Sequence, residues 1–242
     1  MAEVAVRATA SGKRIRKALL GRKVGMTQIF DENGNWVPVT VLEVGPCTIL
    51  QVKTTEEDGY TAVQLGFGPK KRVRNPQAGL FKKISIEPLR WIHEVPFVDP
   101  VDVRGAAESA KPAEGEAPAA QEVKPGARVG VWAFTGLKRV DVGGTTKGRG
   151  FSGVIRRHHF NAGPKSHGTK NIREPGSTGM HTDPGRVLKG KRMPGHLGAA
   201  HRKVRNLRIV KIEPETNLLL VEGGVPGPNG GFLYVEESLR QK

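Results

Sequence analysis

A single cysteine, Cys47, occurs in 242 residues. That excludes an intramolecular disulfide framework and a Cys-rich zinc site, and it fits a reducing compartment. Cys47 is expected to pack as a small hydrophobe. Aromatic residues are scarce at 5% and apolar residues reach 37%, below the roughly 45–50% apolar content of an average globular chain, so the core should be modest. No run approaches the roughly 18 to 20 apolar residues of a spanning helix, and no basic amphipathic helix with a broad apolar face is evident, so no membrane partner is expected. The N-terminus lacks the apolar stretch of a secretory signal. Acids are few as well: 23 against 39 Lys and Arg, a net charge of +16 and a pI near 10.3. Such a surplus favours a polyanion, and with the membrane set aside, nucleic acid leads.

Catalytic and cofactor signatures are also missing. Six of the seven histidines (His158, His159, His167, His181, His196 and His201) fall close together, yet there is no HExxH or paired-Cys spacing and few nearby acids to complete a metal or acid-base site. Gly143 to Gly150 (GGTTKGRG) is not a Walker loop, because Lys147 precedes Gly148 and no Ser or Thr follows it to hold magnesium. Neither Ser166 nor Ser177 sits in a GxSxG elbow. No metal, cofactor, catalytic residue or small-molecule substrate is therefore expected.

What is present is uneven. Between Lys138 and Arg208 stand 17 Lys and Arg against Asp141, Glu174 and Asp183, so a net +14 lies in 71 residues while the rest is nearly neutral. From Gly143 to Gly198 glycines alternate with single basic residues and few apolar positions. Glycine backbone is costly to order, so this segment needs a partner, and polyphosphate suits it: glycine permits close approach while Lys and Arg neutralise charge. Imidazole can stack on bases or contact phosphate.

The flanks read as β structure. Val37 to Val44, Thr48 to Lys53 and Thr61 to Gly68 are β-rich runs divided by turn signals at Glu32-Asn33-Gly34-Asn35 and Asp58-Gly59. Leu207 to Gly227 predicts a hairpin turning at Pro214 to Asn217, and Gly231 to Glu237 a last strand. Strands at this spacing suggest a small closed or nearly closed barrel. Asn75 to Lys83 predicts a short helix after Pro76, weakened by Gly79. Trp36, Trp91 and Trp132 lie outside the basic segment and are expected in the core. The Ala/Glu/Pro/Gly stretch between Arg104 and Lys124 reads as disordered or solvent-exposed. Residues 1–17 read as a basic tail that settles on RNA, a short organellar transit peptide being the alternative.

Several motifs then occur in one order: Leu20 to Phe30 (LGRKVGMTQIF), Val37 to Val41 (VPVTV), Asp58-Gly59-Tyr60, Asn75 to Gly79 (NPQAG), Val140-Asp141-Val142, Gly148 to Gly153 (GRGFSG), Arg173 to Gly179 (REPGSTG), Pro184 to Met193 (PGRVLKGKRM) and Asn217 to Gly227 (NLLLVEGGVPG). Together they span most of the chain, which resembles the ribosomal protein L3 family in its bacterial or organellar form. The resemblance implies a mainly β fold with a small α+β portion, a translation-factor-like β-barrel carrying a long basic Gly-rich extension into ribosomal RNA. It sets expected parts at 1–17 (tail), 18–137 (first part of the barrel with the α+β insertion and the 104–124 stretch), 138–206 (extension) and 207–242 (last barrel strands). It also puts Gly179, Met180, His181, Thr182 and Asp183 at the extension's tip, near the peptidyl transferase centre. Many bacterial members carry a methylated glutamine in this stretch, but this sequence has none there.

The expected function is structural: binding large-subunit ribosomal RNA early in assembly, beside neighbouring ribosomal proteins, in the cytoplasmic ribosome or in an organellar matrix or stroma. The expected RNA contacts are Lys147, Arg149, Arg156, Arg157, His158, His159, Lys165, His167, Lys170, Arg173, Arg186, Lys189, Lys191 and Arg192. Two rivals stand beside this reading: a non-ribosomal RNA chaperone that uses the same charge without a unique site, and a metal-dependent nuclease or RNA-modifying enzyme built on the histidines.

Overall fold

Alternation of β-branched and polar residues from Trp36 to Val44 gives strand β2 (Trp36–Val44), which packs Leu42 and Val44 into the main core from one face and buries Val37 and Val39 on the other. It pairs antiparallel with the 13-residue β1 (Ala18–Phe30). The computed structural model describes residues 16–96, 103–104 and 123–241, in two compact units: one runs to Thr145 and resumes at Arg202, and the other is Thr146–His201.

In the first unit, β1 and β2 join β8 (Arg139–Thr145), β11 (His201–Glu213), β12 (Leu218–Glu222) and β13 (Phe232–Glu237) in a closed barrel of order β1-β13-β8-β11-β12-β2. Closure leaves this sheet no free edge. β1 serves two neighbours: Ala18 to Arg22 pair with β13, while Gly21 to Phe30 pair with β2 across an irregularity between Lys23 and Gly25. Gly21 is required where the two ladders overlap, since a Cβ there would collide with the Glu43 carbonyl oxygen and lie 3.2 Å from Val44. The expected hairpin is β11 and β12, with Glu213 opposite Leu218.

A second sheet of the same unit, ordered β5-β4-β3-β7-β6, combines β3 (Cys47–Lys53), β4 (Ala62–Pro69), β5 (Leu89–Val95), β6 (Val103–Arg104) and β7 (Arg128–Val129). The four-residue α1 (Thr55–Asp58) stops at Gly59 in the left-handed conformation. Helix α2 (Asn75–Ile84) starts with Pro76 in its first turn, carries Lys82 and Lys83 in its last turn and buries Phe81. One apolar cluster underlies both sheets, with Leu19, Leu42, Ile49, Leu65, Phe134, Val142, Leu219 and Val235 among its buried members. Burying each such side chain is worth about 1.5–3 kcal/mol. Among the described residues no helix is long and apolar enough to cross a membrane.

Cys47 is fully buried in this cluster, its Sγ 3.3 Å from the Leu20 carbonyl oxygen, and burial pushes its thiol up to about 12. Trp91 stacks between Phe67 and Phe232, at ring separations of 5.8 and 5.3 Å. Trp36 departs from the core expectation and is 63% exposed. It begins β2, on the face opposite the packed Val37, and lies beyond Val39 to Glu43, the stretch of β2 that pairs with β12.

The barrel also buries charge. Asp141 and Glu236 are 4% and 6% exposed. Glu236 accepts from Arg16 at 2.8 Å and pairs with Lys203, while Asp141 accepts the Asn206 amide at 2.9 Å. Asn206 holds a left-handed backbone and accepts from Ser238. Thus Arg16 and Lys17, from the basic tail, are engaged in the barrel, Lys17 donating to the Ala133 carbonyl. The rest of the tail, residues 1–15, and residues 105–122 of the Ala/Glu/Pro stretch lie outside the described residues. Lys138 to Thr145 and Arg202 to Asn206, grouped with the extension in the sequence reading, belong to the first unit. Their charge does not mark them off, since Arg202, Lys203 and Arg205 sit on an alternating barrel strand.

Candidate nucleic-acid interface

The second unit, Thr146–His201, is built with almost no core. Its two ends run side by side: the Thr146 amide donates to the Ala200 carbonyl at 3.0 Å, Arg149 to Leu197 at 2.8 Å and Leu197 to Gly150 at 2.9 Å. This ladder continues in β9 (Phe151–Ser152) and β10 (Gly195–His196), where Gly195 faces Ser152 and His196 faces Phe151. Gly198 permits the approach, since its φ is +77° and a Cβ would collide with the Lys147 carbonyl. Helix α3 (Val154–His158) follows and ends at His159 in the left-handed conformation. Ser152 and Val154 are the unit's buried side chains.

The expected contact residues divide into two kinds. Lys147, Arg149, Arg156, His159, Lys165, His167, Lys170, Arg173, Arg186, Lys189, Lys191 and Arg192 are exposed. Arg157 and His158 are half-buried and turn inward: Arg157 Nη1 donates to the Met193 carbonyl at 2.7 Å, and His158 Nε2 lies 3.0 Å from the same oxygen. These two fasten α3 to the returning strand, so part of their bonding capacity is spent inside the unit.

From Gly176 to Pro194 every residue is exposed. Apart from the Arg157 and His158 contacts to Met193, the hydrogen bonds there are local: Ser177 Oγ donates to the Gly179 carbonyl at 2.7 Å and His181 Nδ1 and Thr182 Oγ1 are 2.6 Å apart, while the Asp183-Pro184 peptide is cis. Met180 is 74% exposed, with Val187 and Leu188 about half exposed. Such a stretch buries too little apolar surface to offset its ordering entropy in water. It presents single cations on a glycine-rich backbone, a surface that can neutralise closely packed phosphates.

Chemistry built on the histidines finds little geometric support. Among the described residues no three His, Cys, Asp or Glu side chains are grouped to hold a metal ion. Ser177 donates to backbone and His181 meets Thr182.

Phe151 was not among the residues singled out from the sequence, yet it is 80% exposed on a backbone fixed by the ladder. Its signal was available: an aromatic residue directly after Lys147-Gly148-Arg149-Gly150, where glycine and cations alternate. A fixed, exposed ring beside cations suits base stacking.

Comparison with known proteins bears on all of this. The family described as Ribosomal protein L3 matches residues 131–234. The chain is 45% identical over 226 residues to the large ribosomal subunit protein uL3 of Thermotoga petrophila, covering 93% of this chain and 99% of the relative. It is also 45% identical to the proteins of that name from Acidothermus cellulolyticus, over 229 residues (93% and 94% covered), and Pelotomaculum thermopropionicum, over 228 residues (93% and 99%).

Proposed function

This chain belongs to the ribosomal protein L3 family, and on that premise we propose that it is a structural constituent of the large ribosomal subunit that binds large-subunit ribosomal RNA directly through Thr146–His201. It acts in translation as part of a ribonucleoprotein, in the ribosome of a bacterial cytoplasm. The observation that carries the RNA reading is the fully exposed run from Gly176 to Pro194, with Arg186, Lys189, Lys191 and Arg192 on it and hardly any core beneath. RNA packed around this run would supply the ordering energy that the chain lacks. In this reading Gly179 to Asp183 reach toward the peptidyl transferase centre, and the binding belongs early in subunit assembly. No side chain is assigned a catalytic role.

The mechanism is electrostatic and steric. Each phosphate neutralised releases counterions, so affinity falls with salt in proportion to the number of contacts. The test replaces residues 148–198 with a short turn, using the hydrogen bonds between Thr146 and Ala200 as the splice. Full-length protein should bind large-subunit ribosomal RNA in the presence of bulk-RNA competitor. The shortened protein, verified as folded, should lose several units of salt slope, at roughly 0.7 to 0.9 per contact. An unchanged slope would move RNA binding elsewhere on the chain. Binding that bulk RNA abolishes would favour a chaperone without a unique site.

A further inference from the structure

On the barrel, β1 and β2 form a ribbon with two unlike faces. One face is packed: Val37, Val39 and Leu220 are buried, with Ile29, Val41, Val210 and Leu218 against them. The other is bare. Met26, Gln28 and Phe30 on β1 lie on the face opposite Ile29, and Pro38 and Trp36 stand opposite Gln28 and Phe30 in register. All five are exposed, Met26 at 54%, Phe30 at 72% and Trp36 at 63%. Single exposed apolar residues are ordinary, but a contiguous strip of two large aromatics, a methionine and a proline marks a contact surface.

Charge decides what covers it. The chain carries +16, yet this strip has no cation, and the turn that ends it carries Asp31 and Glu32. Asp31 is held ionised, its carboxyl below the ordinary value through hydrogen bonds from Asn35 and Asn33. The two nearby arginines are matched: Arg22 pairs with Glu43 at 2.6 Å and Arg208 with Glu222 at 2.7 Å. Among the described residues, a phosphate backbone would meet two acids beside arginines already engaged by carboxylates, whereas a protein with apolar side chains rimmed by Lys or Arg fits both strip and turn. Tryptophan, phenylalanine and methionine are also the residue types enriched in protein interfaces.

We propose that the bare face of the β1–β2 ribbon, centred on the cross-strand pair Phe30 and Trp36, docks a basic neighbouring protein of the large subunit. The proposal rests on the ribosomal reading for the neighbour's presence, and on the strip and its acidic turn for the neighbour's chemistry.

The test places a photo-cross-linking phenylalanine analogue at position 36 of the full chain in a bacterial host, and at position 151 in a parallel strain, and isolates large subunits after irradiation. The expected adduct at 36 is with a basic protein, and the substitutions Phe30→Asp and Trp36→Asp together should lower that neighbour's occupancy by roughly tenfold, the size of one lost aromatic anchor. An adduct with RNA at 36, or no adduct at 36 while position 151 cross-links RNA, would overturn the proposal. If the chain enters no particle and position 151 finds no RNA, the ribosomal reading fails, and the docking proposal falls with it.

Discussion

Arg16 and Glu236, 220 positions apart, are joined by a 2.8 Å hydrogen-bonded ion pair with the carboxylate nearly buried in the barrel wall. Lys203 reaches the same carboxylate oxygen, and Arg16 stands 3.7 Å from Asp141. The cations are about a quarter exposed, so solvent screens part of the attraction. Glu236→Gln should still cost about 1–2 kcal/mol, because it removes a charged acceptor shared by two donors. Urea unfolding followed by far-UV circular dichroism measures this; a midpoint within error of the parent would show that the cluster contributes nothing net.

Gly21→Ala tests the overlap of the two ladders on β1. The obstruction is the Glu43 backbone carbonyl, which cannot swing away as a side-chain end could. A loss of about 1–3 kcal/mol is expected, as for overpacking in a core. Thermal unfolding should report it, with Gly25→Ala as the comparison, since nothing lies within 4 Å of a Cβ there.

Cys47 can report unfolding. As the chain's one thiol, buried and raised to about 12 from an ordinary 9.0, it should resist a thiol reagent in the native protein and react in denaturing urea. The raised value fixes the sign of the pH dependence: the unfolded thiol ionises from about 9.0 while the folded one stays protonated. The stabilisation is complete below 9.0 and is lost as pH rises toward 12. Cys47→Ser should shift the alkaline limb of the stability curve; an identical limb would contradict the assignment.

Within the basic unit, substitutions should separate struts from phosphate contacts. Lys189→Ala, on the exposed run, should reduce the salt slope of RNA binding by roughly 0.7 to 0.9. Arg157→Ala should change the slope less, but should weaken hydrogen-exchange protection around β9 and β10, because Arg157 holds the Met193 carbonyl. Equal slope losses would place Arg157 on phosphate as well.

Local pattern made the middle strands legible. In Val37 to Val44 and Leu207 to Gly227, β-branched residues alternate with polar ones and the turns carry Asn, Pro and Gly. β1 was harder to read as a strand, since Gly21, the irregularity at Lys23 to Gly25 and a second pairing partner interrupt its alternation. The basic surface was visible as charge density, but charge alone could not show that Arg157 and His158 turn inward or that Asp141, counted as a stray acid, receives the Asn206 amide. Such roles depend on pairings tens of residues apart.

The barrel ring sets first strand against last, Ala18 facing Glu236 across β1 and β13. A ribosome adding roughly 5–20 residues per second leaves β1 without that neighbour for roughly ten to forty seconds. Residues 146–201 emerge before β13, so the cationic stretch is available to anionic partners while the barrel is still open. A nascent chain of this design gains by meeting RNA or a chaperone early, and its barrel stands closed only as a late product of synthesis.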